Sequence, residues 1–275
     1  MTTMTKLDEQ VLQVVVEGAR ATVTLNRPDV RNAFNDETIA ALSRTFTLLG
    51  KNPDLRCIVL AATGPAFCAG ADLNWMQRMA GYSYEENVAD AQALADMLRT
   101  LYERPVPTIA RVQGDVFAGG VGLVAACDMA VCVDSARFCL SEVLIGLIPA
   151  TIGPYVLRAL GTRASHRYFL TGERFGAAEA HRLGLVHESV PAADLDAVVD
   201  GLVRSLGQVG PLAVRSAKTF VRQVAGHPID ATLACETAHQ IARLRTSAEG
   251  REGLSAFLGK TTSVWRDQAA IKHTA

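Results

Sequence analysis

The chain has 275 residues, 49% of them hydrophobic and 20% charged, with a net charge of -1. That is ample apolar material for a sizeable core, as one large domain or as one domain with an appendage, and it gives no basic field for nucleic acid or an anionic membrane surface. Cys57, Cys68, Cys127, Cys132, Cys139 and Cys235 lie mostly in apolar strings and read as reduced, buried thiols of a cytosolic protein. No Cys-x-x-Cys or His-x-x-x-His spacing points to a metal, and neither a signal core nor an apolar run of ~18 residues is present, so no membrane span is expected.

Taken in order, Val11 to Val16 and Ala21 to Leu25 are β-branched runs around Glu17-Gly18-Ala19-Arg20 and predict a hairpin. Asn35 or Asp36 caps a helix to about Lys51, with Ile39, Leu42, Phe46 and Leu49 on one face. Arg56 to Ala61 reads as a buried strand. The period of Val88, Leu94, Met97, Leu98 and Leu101 predicts a helix over Glu85 to Glu103, stopped by Pro105 and Pro107. Strands follow over Thr108 to Val112, Met129 to Val133 and Arg137 to Leu140. Helices are expected over Gly153 to Ala159, Arg163 to Leu170 and Ala177 to Arg182, separated by Gly161 and Gly172. After a strand at Leu185 to Val190, everything from about Asp194 reads as helix, broken near Gly210-Pro211, Gly226-His227-Pro228 and Gly250. Residues 1–193 are therefore expected to form an α/β core domain, and 194–275 a helical subdomain whose apolar faces pack on neighbouring subunits. No internal repeat is visible residue by residue.

Three stretches carry chemistry. Phe67-Cys68-Ala69-Gly70-Ala71-Asp72-Leu73-Asn74-Trp75-Met76 reads as a strand giving way through small residues to a helix, which turns backbone N–H groups toward a ligand. Phe117-Ala118-Gly119-Gly120-Val121-Gly122 likewise places small residues before an apolar helix. Two such donors converging from separate loops make an oxyanion hole. The third stretch, Cys139 to Ala150, is mostly apolar and carries one carboxylate, Glu142, whose neighbours disfavour its charged form and raise its pKa toward proton-transfer use. No Gly-x-Ser-x-Gly elbow accompanies Ser141, and the histidines lack motif context.

Six motifs in order resemble the enoyl-CoA hydratase/isomerase (crotonase) superfamily. They are Leu25-Asn26-Arg27-Pro28 with Arg31-Asn32-Ala33, Phe67 to Leu73, Gly114 through Asp128, Ser141-Glu142 through Pro149, Leu170-Thr171-Gly172, and Gly253 to Phe257, together covering about Val11 to Lys260. The resemblance implies an α/β fold, a crotonase-like spiral of repeated β-β-α units with a C-terminal helical trimerisation region. It also implies a homotrimer or a homohexamer built as a dimer of trimers, and an acyl-CoA thioester substrate with no separate cofactor. It assigns the oxyanion donors to the N–H groups of Ala71 and Gly119, and a CoA-binding wall to Arg31, Ala33, Ala69, Asp72 and Leu73. Adenine and phosphate contacts fall to Phe257 and Lys260. Arg31 reads either as a phosphate contact or as a solvated arginine, and Asp72 either as wall or as a helix cap. Acyl-pocket candidates are Trp75, Met76, Gly122 and Ala150.

One departure stands out. The family's two-carboxylate hydratases carry a Glu three residues after the oxyanion glycine, where this chain has Gly122; Glu142 occupies the second position. A single carboxylate suits double-bond migration as well as hydration. The Phe67 to Met76, Cys139 to Val143 and Ile145 to Ala150 stretches most resemble bacterial methylglutaconyl-CoA hydratases of leucine and acyclic-terpenoid catabolism. The expectation is therefore a hydratase of a branched or carboxylated enoyl-CoA, with a Δ3,Δ2-enoyl-CoA isomerase and a non-catalytic acyl-CoA-binding scaffold as alternatives.

Overall fold

The computed structural model describes residues 10–266. Strands β1 (Leu12–Glu17) and β2 (Arg20–Leu25) form the expected hairpin, antiparallel across a turn in which Gly18 takes φ 56°. Along β2 the alternation is regular, with Ala21, Val23 and Leu25 buried. Helix α1 (Asp36–Gly50) starts at Asn35, whose side chain accepts from the Thr38 N–H, and buries Ile39, Leu42, Phe46 and Leu49.

Three β-β-α units follow. The first is β3 (Cys57–Ala62) and β4 (Ala66–Cys68) with helices α2 (Leu73–Met79) and α3 (Tyr84–Glu103). The second is β5 (Thr108–Val112) and β6 (Asp115–Phe117) with α4 (Gly119–Ala126). The third is β7 (Met129–Val133) and β8 (Arg137–Cys139) with a 3₁₀ turn (Ser141–Ile145) and α5 (Gly153–Thr171). Strand β9 (Phe175–Gly176), α6 (Ala177–Leu183) and β10 (Glu188–Val190) complete the spiral. Each unit gives its first strand to a six-stranded sheet of order β1-β2-β3-β5-β7-β10 and its second to a four-stranded sheet of order β4-β6-β8-β9. Every residue of β3 is buried, which is why its sequence is an unbroken apolar run rather than an alternating one.

The elements differ from expectation where they are short or bent. Strands β6 and β9, of three and two residues, are too short to show an alternation. The two helices expected around Gly161 are present within α5, joined across a kink where Gly161 leaves helical geometry at φ 73° and ψ 163°. The last expected break lies at Ser247 rather than Gly250. The Ser247 hydroxyl accepts from the Gly250 N–H, and Gly250 sits in the first turn because a Cβ there would lie 1.9 Å from the Leu244 oxygen.

Beyond β10 come α7 (Leu195–Gly207), α8 (Pro211–Val224), α9 (Ala231–Thr246) and α10 (Ala248–Gly259). Helix α8 is pinned to the core by a buried cation. Lys218 Nζ stands 2.6 Å from Asp128 Oδ2 and donates to the Val106 carbonyl at 3.0 Å. The same Oδ2 accepts from the Thr108 N–H at 2.7 Å and its hydroxyl at 2.9 Å. Burial pushes the Lys218 amine below its ordinary range, and the Asp128 charge opposes that shift. Arg215 adds bonds to the carbonyls of Asn52, Pro53 and Leu55.

All six cysteines are free thiols; Cys57, Cys68, Cys132 and Cys139 are buried, whereas Cys235 is exposed. Burial pushes Cys68 up to about 12, out of reactive range. Among the described residues, no group of His, Cys, Asp or Glu could hold a metal, and no helix is long and apolar enough to cross a membrane. Replacing Lys218 by Met leaves Asp128 without its cation and should lower unfolding stability by about 3 kcal/mol, read from urea midpoints.

Candidate active site

Adjacent parallel strands of the small sheet deliver the candidate groups. Ala71 follows the end of β4, Gly119 the end of β6, and Glu142 the end of β8, and β6 pairs in parallel with both β4 and β8. Short strands suffice, because each has only to present a loop.

The first loop is held by Phe34. Its N–H donates to the Gly70 oxygen and its carbonyl accepts from the Asp72 N–H, both at 2.7 Å, and the Ala69 N–H donates to the Arg31 oxygen at 3.0 Å. The Ala71 N–H lies between these bonded groups and has no acceptor among the described residues. Phe34, only 1% exposed, also reaches the second loop: a Cβ on Gly119 would lie 2.9 Å from ring atoms Cδ2 and Cε2. The glycine backbone thus rests directly on that ring.

The two loops also touch each other. Gly70 has φ 95°, and a Cβ there would lie 3.0 Å from the Ala118 Cβ. Ala118 itself holds φ 46° and ψ -121°, a conformation costly for a residue with a side chain. Its N–H donates to the Cys139 oxygen at 2.8 Å and its carbonyl accepts from the Val121 N–H at 2.9 Å. This turn swings the chain into α4, so that the Gly119 N–H begins the helix without an intrahelical acceptor. Ala71 and Gly119 are both half-buried.

The bond from Ala118 to Cys139 ties the donor loop to the strand carrying the carboxylate. Past Cys139, the 3₁₀ turn closes on Gly146 at φ 80°, and the Leu147 N–H donates to the Glu142 carbonyl at 3.0 Å. Glu142 Oε2 is buried without a hydrogen-bond partner among the described residues. Burial pushes the carboxyl above its ordinary value, offset only in part by its own backbone N–H. A carboxylate oxygen buried without a partner is costly for folding, and a raised pKa is the property a general acid/base needs.

The family described as enoyl-CoA hydratase/isomerase matches residues 16–268. The chain belongs to this family. An enoyl-CoA hydratase of Shewanella pealeana superposes with a TM-score of 0.91 at 39% identity, covering 96% of this chain and 100% of that one. An enoyl-CoA hydratase of Mycobacterium smegmatis gives 0.87 at 34% identity, covering 93% and 98%. The hydroxycinnamoyl-CoA hydratase-lyase of Pseudomonas fluorescens is 35% identical over 215 residues, 76% of this chain and 77% of that protein. The architecture is the crotonase fold.

Within this family member, the remaining expected site residues fall into three groups. Arg31 and Leu73 are exposed beside the first loop, and the Arg31 side chain has no ion-pair partner among the described residues. Ala33 is buried, and its carbonyl accepts from Arg27 at 2.7 Å. Asp72 caps α2 through the N–H groups of Asn74 and Trp75 and pairs with Arg27 at 2.8 Å. Burial pushes the Asp72 carboxyl up, but the Arg27 and backbone hydrogen bonds outweigh it and hold the group below its ordinary value. Trp75 is buried and donates to Asp90 at 3.0 Å, Met76 is half-buried and Ala150 exposed. Phe257 and Lys260, exposed at the end of α10, make no bond to the donor loops among the described residues.

Two organising residues escaped the sequence. Phe34 acts through contacts distant in the chain, with no local signature. Asn32, 2% exposed with φ 55°, bonds the carbonyls of Thr63 and Ala66 and accepts from the Arg27 N–H. Its neighbours in the Arg31-Asn32-Ala33 motif were the available hint. A cleft of about 760 Å³ near Arg20, Arg56 and Asp200 contains none of the candidate groups.

Phe34→Leu keeps the backbone bonds but withdraws the ring from beneath Gly119, and kcat should fall about 10- to 100-fold through donor misplacement. Glu142→Gln should raise thermal stability at pH 8. The folded state raises this pKa, so the contribution of the group is favourable below its unfolded value and is lost as pH rises through the folded one. The advantage of the amide in melting scans should therefore shrink toward pH 4.

Proposed function

We propose that the enzyme adds water reversibly across the α,β double bond of a branched or carboxylated enoyl-CoA, of the methylglutaconyl-CoA type. The observation that carries this reading is half-buried Glu142, whose Oε2 is buried and unpartnered among the described residues, past the strand end bonded to the Ala118–Gly119 turn. The thioester oxygen accepts from the N–H groups of Ala71 and Gly119. As water bonds to Cβ, negative charge passes to that oxygen, where each donor contributes about 2.7–4 kcal/mol in the transition state. Glu142 takes the proton released by the water and delivers a proton to Cα, which returns the carboxylate to its starting form.

The acyl assignment rests on the resemblance of Phe67 to Met76, Cys139 to Val143 and Ile145 to Ala150 to methylglutaconyl-CoA hydratases, which suggests a role in leucine or terpenoid breakdown. Arg31, exposed and without an ion-pair partner among the described residues, suits a CoA phosphate, with Phe257 and Lys260 toward the adenine end. The exposed side chains of Leu144, Ile145, Leu147 and Ile148, and of Leu254 and Leu258, support burial between subunits of a trimer or a dimer of trimers. Free thiols support a cytosolic location.

Migration of a β,γ double bond is the second reading, favoured by Gly122, because one carboxylate can remove a proton at Cα and return it at Cγ. Incubation with methylglutaconyl-CoA should abolish the ultraviolet absorbance of the conjugated thioester and add the mass of water. Glu142→Gln should reduce that turnover about 10²- to 10⁴-fold. In the wild type kcat/KM should rise with pH as Glu142 ionises, with its midpoint above the ordinary Glu range. Conjugation of a β,γ-enoyl-CoA without uptake of water, and no hydration of any enoyl-CoA, would replace the hydratase by the isomerase.

A further inference from the structure

Helix α4 is an apolar, largely buried segment that starts at Gly119, and Gly122 stands one turn further on, on the same side of the helix as Gly119. A side chain at 122 would grow from that side. The space is already taken. A Cβ built on Gly122 would lie 2.2 Å from Ile152 Cγ2 and 2.7 Å from Ile152 Cβ. These are not the far atoms of a flexible chain: Cγ2 and Cβ belong to a β-branched side chain with few rotamers. Its backbone is held as well, because the Ile152 carbonyl accepts from the N–H groups of Tyr155 at 3.0 Å and Val156 at 3.1 Å at the start of α5. Ile152 is 1% exposed.

We propose that Ile152 replaces the second carboxylate in volume, so that the Gly122–Ile152 contact closes that side of the site with hydrocarbon and leaves Glu142 as the only protein group that moves protons. The inference rests on the reading of Glu142 as the acid/base. Ile152 is a positioning residue: it excludes a polar side chain, and the water such a chain would hold, from the face next to the Gly119 donor. The added water must then be activated by Glu142 alone. Its O–H proton passes to the Glu142 carboxylate as the C–O bond forms at Cβ, and the carboxylic acid so formed protonates Cα as the enolate electrons return to that carbon. The electron count closes with no second base, and activity should need one ionisation of the protein in place of two.

The test is a double-substitution cycle read by melting temperature and by the pH dependence of kcat/KM. Gly122→Ala alone should lower the melting temperature by about 4–10 °C, since a single methyl already collides. Gly122→Glu should lower it at least as much. Ile152→Gly is the right relief, because Ile152 Cβ itself stands in the way and Ala would retain it. In the Ile152→Gly background either substitution at 122 should be harmless or stabilising. The wild type should show a single rising limb in kcat/KM, and Gly122→Glu with Ile152→Gly should add a second ionisation. If Gly122→Ala melts with the wild type, or the paired substitutions simply add, the contact is not what keeps residue 122 small and the proposal falls. Two carboxylate limbs in the wild type would also overturn it. Where Gly122→Glu fails to fold, the Gly122→Ala cycle decides the same question. Glu142→Gln with undiminished turnover would remove the acid/base reading, and the sole-carboxylate claim with it, while the melting cycle still reports whether Ile152 fills the space at 122.

Discussion

The site depends on one aromatic side chain. Phe34 uses its backbone to bracket the first loop, through Gly70 and Asp72, and its ring to seat Gly119 of the second. Two N–H groups from segments distant in the chain can stabilise one oxygen only if their separation is fixed to a fraction of an ångström. A residue that contacts both loops fixes that separation without adding a polar group. The glycines are small for the same reason: Gly119 must rest on the ring, and Gly120 must pass Cys68, whose Cβ would be 2.7 Å from a side chain there.

The spiral explains why three segments far apart in sequence meet. Each β-β-α unit contributes one strand to the large sheet, which is buried and supplies stability, and one short strand to the small sheet, which supplies a loop. Parallel neighbours β4, β6 and β8 therefore release Ala71, Gly119 and Glu142 at the same end. Lys218 and Arg215 fasten the helical tail to the large-sheet side, and this division keeps the small-sheet ends free for a ligand.

Much of this was legible in the chain. Helices α1 and α3 follow from apolar spacing, because each buries one stripe and the two helices pack against each other. The two donor loops follow from small residues at strand-to-helix junctions, and Glu142 from a charge in apolar surroundings. What could not be read was anything decided by contact between distant segments. The cap at Asp72 depends on Arg27, 45 residues away, as well as on the α2 N–H groups that its carboxylate accepts from. Likewise Gly122 reads in sequence as a missing group, and only the position of Ile152 shows that the space is filled.

Glu142 and Ala118 show where the fold accepts instability. A carboxylate with a buried oxygen unbonded among the described residues and an alanine at φ 46° each favour some other arrangement, and their segments are joined by the β6–β8 pairing and by the bond from Ala118 to Cys139 at the strand end that leads into Glu142. The same strained turn sets Gly119 as the first residue of α4, and the same desolvation lifts the Glu142 pKa. Relieving either one, by Gly at 118 or an amide at 142, should favour folding at neutral pH, yet only the second removes an ionisable group. Geometry and proton affinity are therefore separable in this site: the first is stored in the backbone between β6 and α4, and the second in the apolar turn after β8.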